Sequence, residues 1–301
     1  MKVAVTGSSG LIGTALAADL RADGHEVVRL VRRAPRAAGE VRWDPRAADA
    51  GRPDLAGIDA CVHLAGAGVA SRRWTASYKA EIRSSRVLGT RALAGTLAGL
   101  TPRPAVLVSA SAIGWYGSPG EVATDESGAP GKGFLPGLVQ EWEAAADPAR
   151  DAGIRVVHPR SGLVLARGGG LLGRLAPFAR LTPVSLCPRF GSGTQVMSWV
   201  SLSDEVAAIR FLLDRDDISG PVNVTAPEPV SNAEFTAALA TALHRRDLPW
   251  LRVPSPLLRL ALGEASVEIL GSARIVSARL SQAGYQFHHP TIRAALTAEL
   301  A

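Results

Sequence analysis

Near its amino terminus the chain has a short apolar run that leads into three regularly spaced glycines, in the stretch VAVTGSSGLIGTAL. The apolar residues Val3–Val5 are too few for a helix and are followed by a turn-forming segment. Gly7, Gly10 and Gly13 have the spacing GxxGxxG, and the residues after them favour a helix. This order predicts a strand, a tight turn and a helix, the first part of an alternating α/β fold.

The glycine-rich turn has the features of a dinucleotide site. The first glycine can adopt a positive φ, the second lets the backbone approach a pyrophosphate, and the third allows close packing of the helix on the strand. Phosphate oxygens would bind the amides of the helix N-terminus. A plain loop is the alternative, but a second strand predicted in HEVVRLVRR completes a βαβ unit and favours the dinucleotide. The residues expected to contact the cofactor are Gly7, Ser9, Gly10, Leu11, Ile12 and Gly13.

Two arginines at the end of the second strand bear on the choice of cofactor. An acid at this point binds the ribose 2′-hydroxyl of NAD, whereas arginine accommodates the 2′-phosphate of NADP. The chain has Arg32 and Arg33 there, with no acid at the tip of the strand. The sequence therefore favours NADP over NAD, and two solvated loop charges are the alternative interpretation.

Composition and charge exclude several classes of protein. With 301 residues, of which 47% are hydrophobic, the chain can bury a large core. It has no apolar run long enough to span a membrane and no recognisable signal peptide, so we expect a cytoplasmic protein without a membrane partner. The net charge is +6, but 27 acidic residues are interspersed with the basic ones, so no nucleic-acid partner is expected. Cys61 and Cys187 lack metal-binding spacing and are predicted to be packing residues, with no metal site.

The rest of the chain continues the alternation of strands and helices. The stretch GIDACVHLAGAG is predicted to be a strand that runs into a second turn, and Leu64, Ala65, Gly66 and Ala67 are expected to line the cofactor. We therefore predict a Rossmann fold, a doubly wound parallel sheet with helices on both faces. The predicted organisation is a nucleotide-binding domain over residues 1–248 and a smaller C-terminal substrate-side lobe over residues 249–301.

Two predictions concern individual helices. The segment RRWTASYKAEIRSSR places Arg83 and Arg86 on one side of a helix that follows the second turn. A solvated helix face is the preferred interpretation, and contact with the nicotinamide or a phosphate is the alternative. In SDEVAAIRFLLDR, Ser203 is expected to cap the helix.

Several motifs together resemble a known family. VTGSSGLIG, HLAGAG, LVSASAIGWYG, PRSGLVLARGGG, MSWVSLSDEVAAI and GPVNVTAPEPVSNAEF occur in the order typical of extended short-chain dehydrogenases/reductases, the sugar-nucleotide epimerase and dehydratase superfamily. The finer resemblance is to an atypical, epimerase-like branch, formerly labelled cell-division inhibitors, which ends in a domain of unknown function. Residues 262–296 are similar to that final domain. The resemblance covers nearly the whole chain.

The resemblance implies a Ser/Thr and a YxxxK pair, in which the tyrosine is the acid/base and the lysine lowers its pKa. Ser111, just past a predicted strand, matches the serine. None of the three tyrosines has a lysine four residues later. The tyrosine position falls near Leu138 or Val139, and the lysine position falls near Trp142 or Glu143.

The missing pair leaves Ser111, Tyr116 and Glu143 as candidate catalytic residues. Glu143 could replace the base if burial raised its pKa, but a structural role beside Trp142 is the preferred interpretation. Tyr116 is expected to line the pocket, with a role as acid as the alternative.

Three functions are consistent with these residues. The first is an NADP(H)-binding oxidoreductase or epimerase that acts on a small polar carbonyl or hydroxyl compound. The second is a catalytically silent NADPH sensor, since an abandoned active site would lose both members of the pair. The third is a scaffold, which the intact glycine loop disfavours. The expected partner is a small-molecule substrate, and a homodimer is the candidate assembly.

Overall fold

The structure, a computed structural model, describes residues 1–46, 53–173, 175 and 188–300. Strands and helices alternate along the chain, as the apolar runs and turn signals predict. In chain order the strands are β1 (Lys2–Thr6), β2 (Glu26–Val31), β3 (Glu40–Arg42), β4 (Ala60–His63), β5 (Val106–Ser109), β6 (Ser111–Ala112), β7 (Gly120–Thr124), β8 (Arg155–Ser161), β9 (Leu163–Ala166), β10 (Arg189–Phe190), β11 (Val196–Met197), β12 (Trp199–Ser201), β13 (Gly220–Val224), β14 (Val230–Ser231), β15 (Arg252–Val253) and β16 (Ala273–Ile275).

Helices cover both faces of the main sheet. They are α1 (Leu11–Ala22), α2 (Ala76–Ala98), α3 (Phe134–Ala144), α4 (Asp147–Asp151), α5 (Leu202–Asp214), α6 (Asn232–Ala242), α7 (Ser255–Leu262), α8 (Val267–Leu270), α9 (Ala278–Gln282) and α10 (Ile292–Leu300), with short 3-10 helices at Ile113–Tyr116 and Gly263–Ser266. Among the described helices, none combines the length and the apolarity needed to cross a bilayer.

The main sheet has the strand order β3-β2-β1-β4-β5-β8-β13, with β6 also paired to β8, and its pairings are parallel. The chain reverses its direction of winding between β1 and β4, which are neighbours in the sheet. The prediction of a doubly wound Rossmann fold is confirmed. Ligands of such sheets bind beyond the carboxyl ends of the strands at this reversal.

Alternating side chains of the strands fill two separate cores. Val3 and Val5 of β1 pack with α1 and α5, whereas Ala4 packs with α2 on the opposite face. Successive side chains of a strand point to opposite faces, and both faces of this sheet are covered by helices. This explains why the strand reads as a continuous apolar run rather than as an alternating one.

The start of α5 differs from its prediction. Ser201, not Ser203, is the N-cap, and its hydroxyl oxygen accepts a hydrogen bond of 3.1 Å from the amide of Asp204. The segment SLSDE offers two serines, and β12 ends at the first of them. By contrast, α6 begins with a capping box of Ser231 and Glu234.

The C-terminal segment packs against the nucleotide-binding part of the chain. Ile292 and Leu296 of α10 share a third core with Phe235 and Leu239 of α6. In addition, β16 pairs with β7, which follows the segment of Ser111. The lobe is thereby held against the carboxyl edge of the main sheet, and the boundary near residue 249 stays a prediction.

Candidate functional site

The glycine loop after β1 is built so that side chains do not fit. Gly7 has φ +65°, and a Cβ atom on it would lie 2.7 Å from the carbonyl carbon of Leu64. A Cβ atom on Gly13 would lie 2.3 Å from the carbonyl oxygen of Gly7. Both distances are shorter than two non-bonded carbon or oxygen atoms tolerate. The loop therefore needs glycine for its backbone conformation and for its close packing on the neighbouring turn.

The N-terminus of α1 offers uncapped amides to an anion. Gly10 is the N-cap and has no side chain to accept a hydrogen bond, while its own amide donates to the carbonyl of Gly7 at 2.9 Å. The next amides, of Leu11, Ile12 and Gly13, belong to the first helical turn, where no intrahelical partner exists. Ser9 lies exposed on the same loop. This arrangement fits a phosphate group of a dinucleotide.

A threonine joins this loop to the second turn, which follows β4. The Oγ1 atom of Thr6 accepts hydrogen bonds from the amides of Leu64 at 3.1 Å and Ala65 at 3.3 Å, and it lies 2.7 Å from Nδ1 of His63. Burial, and then the charge of Arg86, lowers the pKa of His63 to about 4, so the imidazole is neutral at pH 7. Thr6 can then donate its hydroxyl hydrogen to Nδ1. Sequence reasoning missed Thr6, although a polar residue at the end of a buried strand was visible.

An acid from the neighbouring strand lies near the arginines at the tip of β2. Glu40 lies on β3, which pairs with β2, and Arg33 binds both of its carboxylate oxygens at 2.7 Å. Arg29 lies 3.5 Å from the same carboxylate and donates to the hydroxyl of Ser8 in the glycine loop at 3.2 Å. The hydrogen bond from Arg33 and the amide of Arg36 lower the pKa of Glu40 to about 2. The end of β2 itself carries no acid, as the sequence shows, and the carboxylate that Arg33 binds comes from the neighbouring strand.

The three candidate catalytic residues converge through an arginine that the sequence analysis did not single out. The hydroxyl of Ser111 donates to Oε1 of Glu143 at 2.6 Å. Arg160, from β8, donates to both oxygens of Glu143, at 2.8 Å to Oε1 and 2.9 Å to Oε2. Its remaining terminal nitrogen, Nη1, donates to the hydroxyl of Tyr116 at 3.0 Å. We call Ser111, Tyr116, Glu143 and Arg160 the polar cluster.

Backbone pairing explains how these residues meet. In the parallel pairing of β6 with β8, Ser111 stands opposite Arg160, and Glu143 reaches them from α3. The amide of Ala110 donates to the carbonyl of His63 at 2.9 Å, so the strand that carries Ser111 runs directly beside the second turn. The polar cluster and the glycine loop therefore lie along one edge of the sheet.

The interior of the polar cluster is closed to solvent. Arg160 is 2% exposed, and its guanidinium lies over the ring of Trp115, 3.9 Å from Cζ to the ring centroid. The hydroxyl of Tyr116 donates to Oδ1 of Asn223 at 2.8 Å, and Asn223 donates onward to the carbonyl of Val276 in the C-terminal lobe. Burial raises the pKa of Tyr116, so its phenol is neutral. Tyr116 is a buried link between the cluster and the lobe rather than an exposed pocket wall.

One further acid lies beside the cluster on the opposite face of β8. Ser161, the residue after Arg160, donates its hydroxyl hydrogen to Oε1 of Glu205 at 2.6 Å. Glu205 belongs to α5 and is 1% exposed. Burial raises its pKa to about 7, and the hydrogen bond from Ser161 opposes this only in part.

The positions expected for the tyrosine hold buried apolar side chains, and of the two candidates for the lysine position Trp142 is buried and Glu143 belongs to the polar cluster. Leu138 and Val139 are 4% and 2% exposed, and the indole of Trp142 donates to Oγ1 of Thr90 at 3.0 Å. Within the described residues, no group of three or more histidine, cysteine or acidic side chains could hold a metal ion. Cys61 is buried in β4, and burial raises its pKa to about 12, whereas Cys187 lies outside the described residues.

The prediction of a solvated arginine face on α2 is correct for one arginine and wrong for the other. Arg83 is exposed and binds Glu141 at 2.6 Å, as a solvated face requires. Arg86 is only 9% exposed, and its Nη1 donates to the carbonyl of Ala67 in the second turn at 2.9 Å. The prediction of a solvated face is wrong for Arg86. Helix α2 connects two parallel strands, and this side of it packs on the turn that precedes it.

The fold and this edge define the class: a dinucleotide-binding protein with a doubly wound parallel sheet. The sequence profile of the NAD dependent epimerase/dehydratase family matches residues 3–225, and that of a domain of unknown function (DUF1731) matches residues 253–299. The chain belongs to the NAD dependent epimerase/dehydratase family.

Similar proteins align with nearly the whole of this chain. The epimerase family protein Mb2239 of Mycobacterium bovis is 45% identical, over 98% of this chain and 96% of that protein. A crystal structure of the human epimerase family protein SDR39U1 (isoform 2) with NADPH has a TM-score of 0.90 and 32% identity and covers 99% of both chains. A structure of the nucleoside-diphosphate sugar epimerase from Corynebacterium glutamicum has a TM-score of 0.81 and 36% identity over 100% of this chain and 58% of that one.

Proposed function

We propose that the protein is an NADP(H)-dependent oxidoreductase or epimerase that acts on a small polar compound with a hydroxyl or carbonyl group. The observation that carries the proposal is the 2.6 Å hydrogen bond from Ser111 to Glu143, beside the glycine loop. A hydroxyl that gives its own hydrogen to a carboxylate keeps its oxygen lone pairs for another donor. Ser111 can therefore accept a hydrogen bond from a substrate hydroxyl.

The direction of these hydrogen bonds supports a proton path. As a substrate carbinol is oxidised, its proton passes to Oγ of Ser111 while the serine proton passes to Oε1 of Glu143, and the reverse path protonates the product of a reduction. Arg160 holds both oxygens of Glu143 and so fixes the carboxylate in position. Tyr116 holds the remaining Nη1 of Arg160 and is a positioning residue. The bound nicotinamide would supply the hydride acceptor or donor.

Charge at the tip of β2 supports NADP(H) as the cofactor. Arg29, Arg32 and Arg33 supply three positive charges there against the one carboxylate of Glu40. Arg32 is exposed and forms no ion pair within the described ranges, so it can bind a 2′-phosphate directly. Arg33 would contribute by sharing its guanidinium between Glu40 and the phosphate. The human relative in complex with NADPH supports the same choice.

The substrate would be polar and uncharged or weakly charged at its reacting centre, because Arg160 is already neutralised by Glu143. The relative described as a nucleoside-diphosphate sugar epimerase supports a substrate with several hydroxyl groups.

A specific observation favours a second function, that of an NADPH sensor without catalysis. Both oxygens of Glu143 are bound by Arg160, and the hydroxyl of Tyr116 already has a donor and an acceptor. A cluster whose groups satisfy one another is as consistent with a structural role as with chemistry. Ser111 is itself 5% exposed, so turnover of a substrate that reaches its hydroxyl is what separates the two functions.

The test is a fluorescence titration with NADPH and NADH, followed by NADPH oxidation against a panel of polar carbonyl compounds. We expect tighter binding of NADPH and turnover that falls about 100-fold or more in Ser111→Ala. Ser77→Ala, an exposed serine of α2, is the control that should keep full activity. Tight NADPH binding without turnover of any compound would favour the sensor, and the absence of binding would overturn both functions.

A further inference from the structure

We propose that Arg86 belongs to the cofactor site, where its guanidinium, held against the second turn (residues 64–67), compensates the negative charge of the dinucleotide pyrophosphate. The inference rests on the proposed function, since it requires that a dinucleotide binds the glycine loop. It adds a cationic group to the pyrophosphate part of the site, which otherwise offers backbone amides.

Arg86 is a buried cation without a carboxylate partner. Its exposed fraction is 9%, and within the described residues the guanidinium has only carbonyl acceptors, Ala67 at 2.9 Å and Ile82 at 3.4 Å from Nη1. Burial lowers its pKa to about 10, which leaves it charged at pH 7. A buried charge without a counter-ion is costly, so such a residue is expected where a ligand brings the missing anion.

The guanidinium and the glycine loop both contact the second turn. A Cβ atom on Gly66 would lie 3.2 Å from Cζ of Arg86, so the cation touches the backbone there. Two residues earlier, Leu64 packs against Gly7, where a Cβ atom would lie 2.7 Å from its carbonyl carbon. Arg86 and the loop that would hold the phosphates therefore contact the same four-residue turn.

The surroundings of Arg86 also hold it in place. Its Cζ lies 4.9 Å from the ring centroid of Trp142, whose own nitrogen is fixed by Thr90. A guanidinium stacked on an indole keeps its charge but loses its freedom to turn towards solvent. Arg83, one turn earlier on α2, is paired with Glu141 and is 61% exposed. The two arginines thus serve as test and control. Arg83 is paired with a carboxylate at the surface, whereas Arg86 has no carboxylate partner among the described residues.

The test compares two ligands that differ in the group that Arg86 would neutralise. NADPH carries both the 2′-phosphate and the pyrophosphate, whereas adenosine 2′-monophosphate carries only the former. For Arg86→Gln, calorimetric titration should give an NADPH affinity at least about 30-fold weaker. The affinity for adenosine 2′-monophosphate should stay within about 2-fold, because the substitution removes no contact to that ligand. Arg83→Gln should change neither affinity.

Each other outcome overturns a defined part of the argument. Unchanged NADPH affinity in Arg86→Gln would overturn the inference alone, and an equal loss for both ligands would mean that Arg86 only shapes the turn. No NADPH binding by the unaltered protein would overturn the proposed function and the inference with it. Should Arg86→Gln fail to fold, Arg86→Lys keeps the charge and loses the planar fork. It should then show a smaller loss confined to NADPH, and an equal loss for both ligands would again overturn the inference.

Discussion

The glycine loop and the polar cluster lie on the same edge of the sheet, but they are built in different ways. The glycine loop offers uncapped backbone amides, and its conformation depends on the absence of side chains at Gly7 and Gly13. The polar cluster consists of four side chains from four separate elements, held together by a charge pair. The comparison shows that a row of uncapped amides can be made from one local segment, whereas a cluster of charged side chains needs distant elements to be brought together.

The two regions also differ in what they lack. Around the glycine loop, the uncapped amides of α1 and the buried cation of Arg86 have no anionic partner within the described residues. In the polar cluster, the charges of Arg160 and Glu143 already compensate one another. A bound dinucleotide should therefore stabilise the first region by supplying the missing charge and leave the second nearly unchanged.

The largest expected effect comes from removing the cation of the polar cluster. Arg160→Met would leave Glu143, whose side chain is 11% exposed, without its counter-ion. We expect the free energy of unfolding in urea to fall by about 3–5 kcal/mol, since a buried charge is left unpaired. The double variant Arg160→Met/Glu143→Gln should recover much of the lost free energy of unfolding.

The same variant tests whether the two regions are independent. If they are, folded Arg160→Met should bind NADPH as tightly as the unaltered protein does. A parallel loss of NADPH affinity would show that the glycine loop depends on the cluster and that the two regions are not independent.

The next effect in size concerns the glycine loop. A methyl group on Gly13 would lie 2.3 Å from the carbonyl oxygen of Gly7, so Gly13→Ala must displace the backbone. We expect a loss of about 1–3 kcal/mol of unfolding free energy from overpacking, together with loss of NADPH binding in a fluorescence titration. Gly95→Ala on α2 is the control, because nothing lies within 4 Å of its Cβ position. Retained NADPH affinity in Gly13→Ala would contradict the close packing described for this loop.

The smallest expected net effect is on the pH dependence of stability, because the contributions of the two regions oppose one another. The pKa of His63, beside the glycine loop, is lowered to about 4 by burial and by Arg86, so only the unfolded chain takes up this proton between pH 6.5 and 4. Stability is therefore lost as the pH falls through that window, by up to about 1.4 kcal/mol per pH unit. The pKa of Glu205, beside the polar cluster, is raised by burial to about 7, so its contribution is lost as the pH rises from 4.5 to 7.

Urea unfolding between pH 4.5 and 7 separates these two contributions. His63→Asn keeps an acceptor for Thr6 and should reduce the loss of stability on acidification, whereas Glu205→Gln should make that loss steeper. A pH profile that neither substitution alters would show that these two groups do not titrate as their burial implies.

Local sequence was sufficient for the elements and for the glycine loop. The apolar runs predicted β1, β2 and β4, and the glycine spacing predicted the turn before α1, because strand, turn and helix each depend on residues close together in the chain. Ser201 in place of Ser203 as the cap of α5 shows the usual limit, since two serines separated by one residue can both satisfy the local rule.

Tertiary structure alone decided the partners of the charged groups. Glu40 reaches Arg33 through the pairing of β2 with β3, and Arg160 reaches Ser111 through the register of β6 on β8. Arg83 and Arg86 are the same residue type three positions apart, yet only Arg86 is buried at the second turn. The sequence by itself thus determined the class of fold and the site for an anion, because backbone geometry is encoded locally. The packing of distant segments decided which charges pair, which stay uncompensated and which are closed to water, because the energy of a charge depends on what surrounds it.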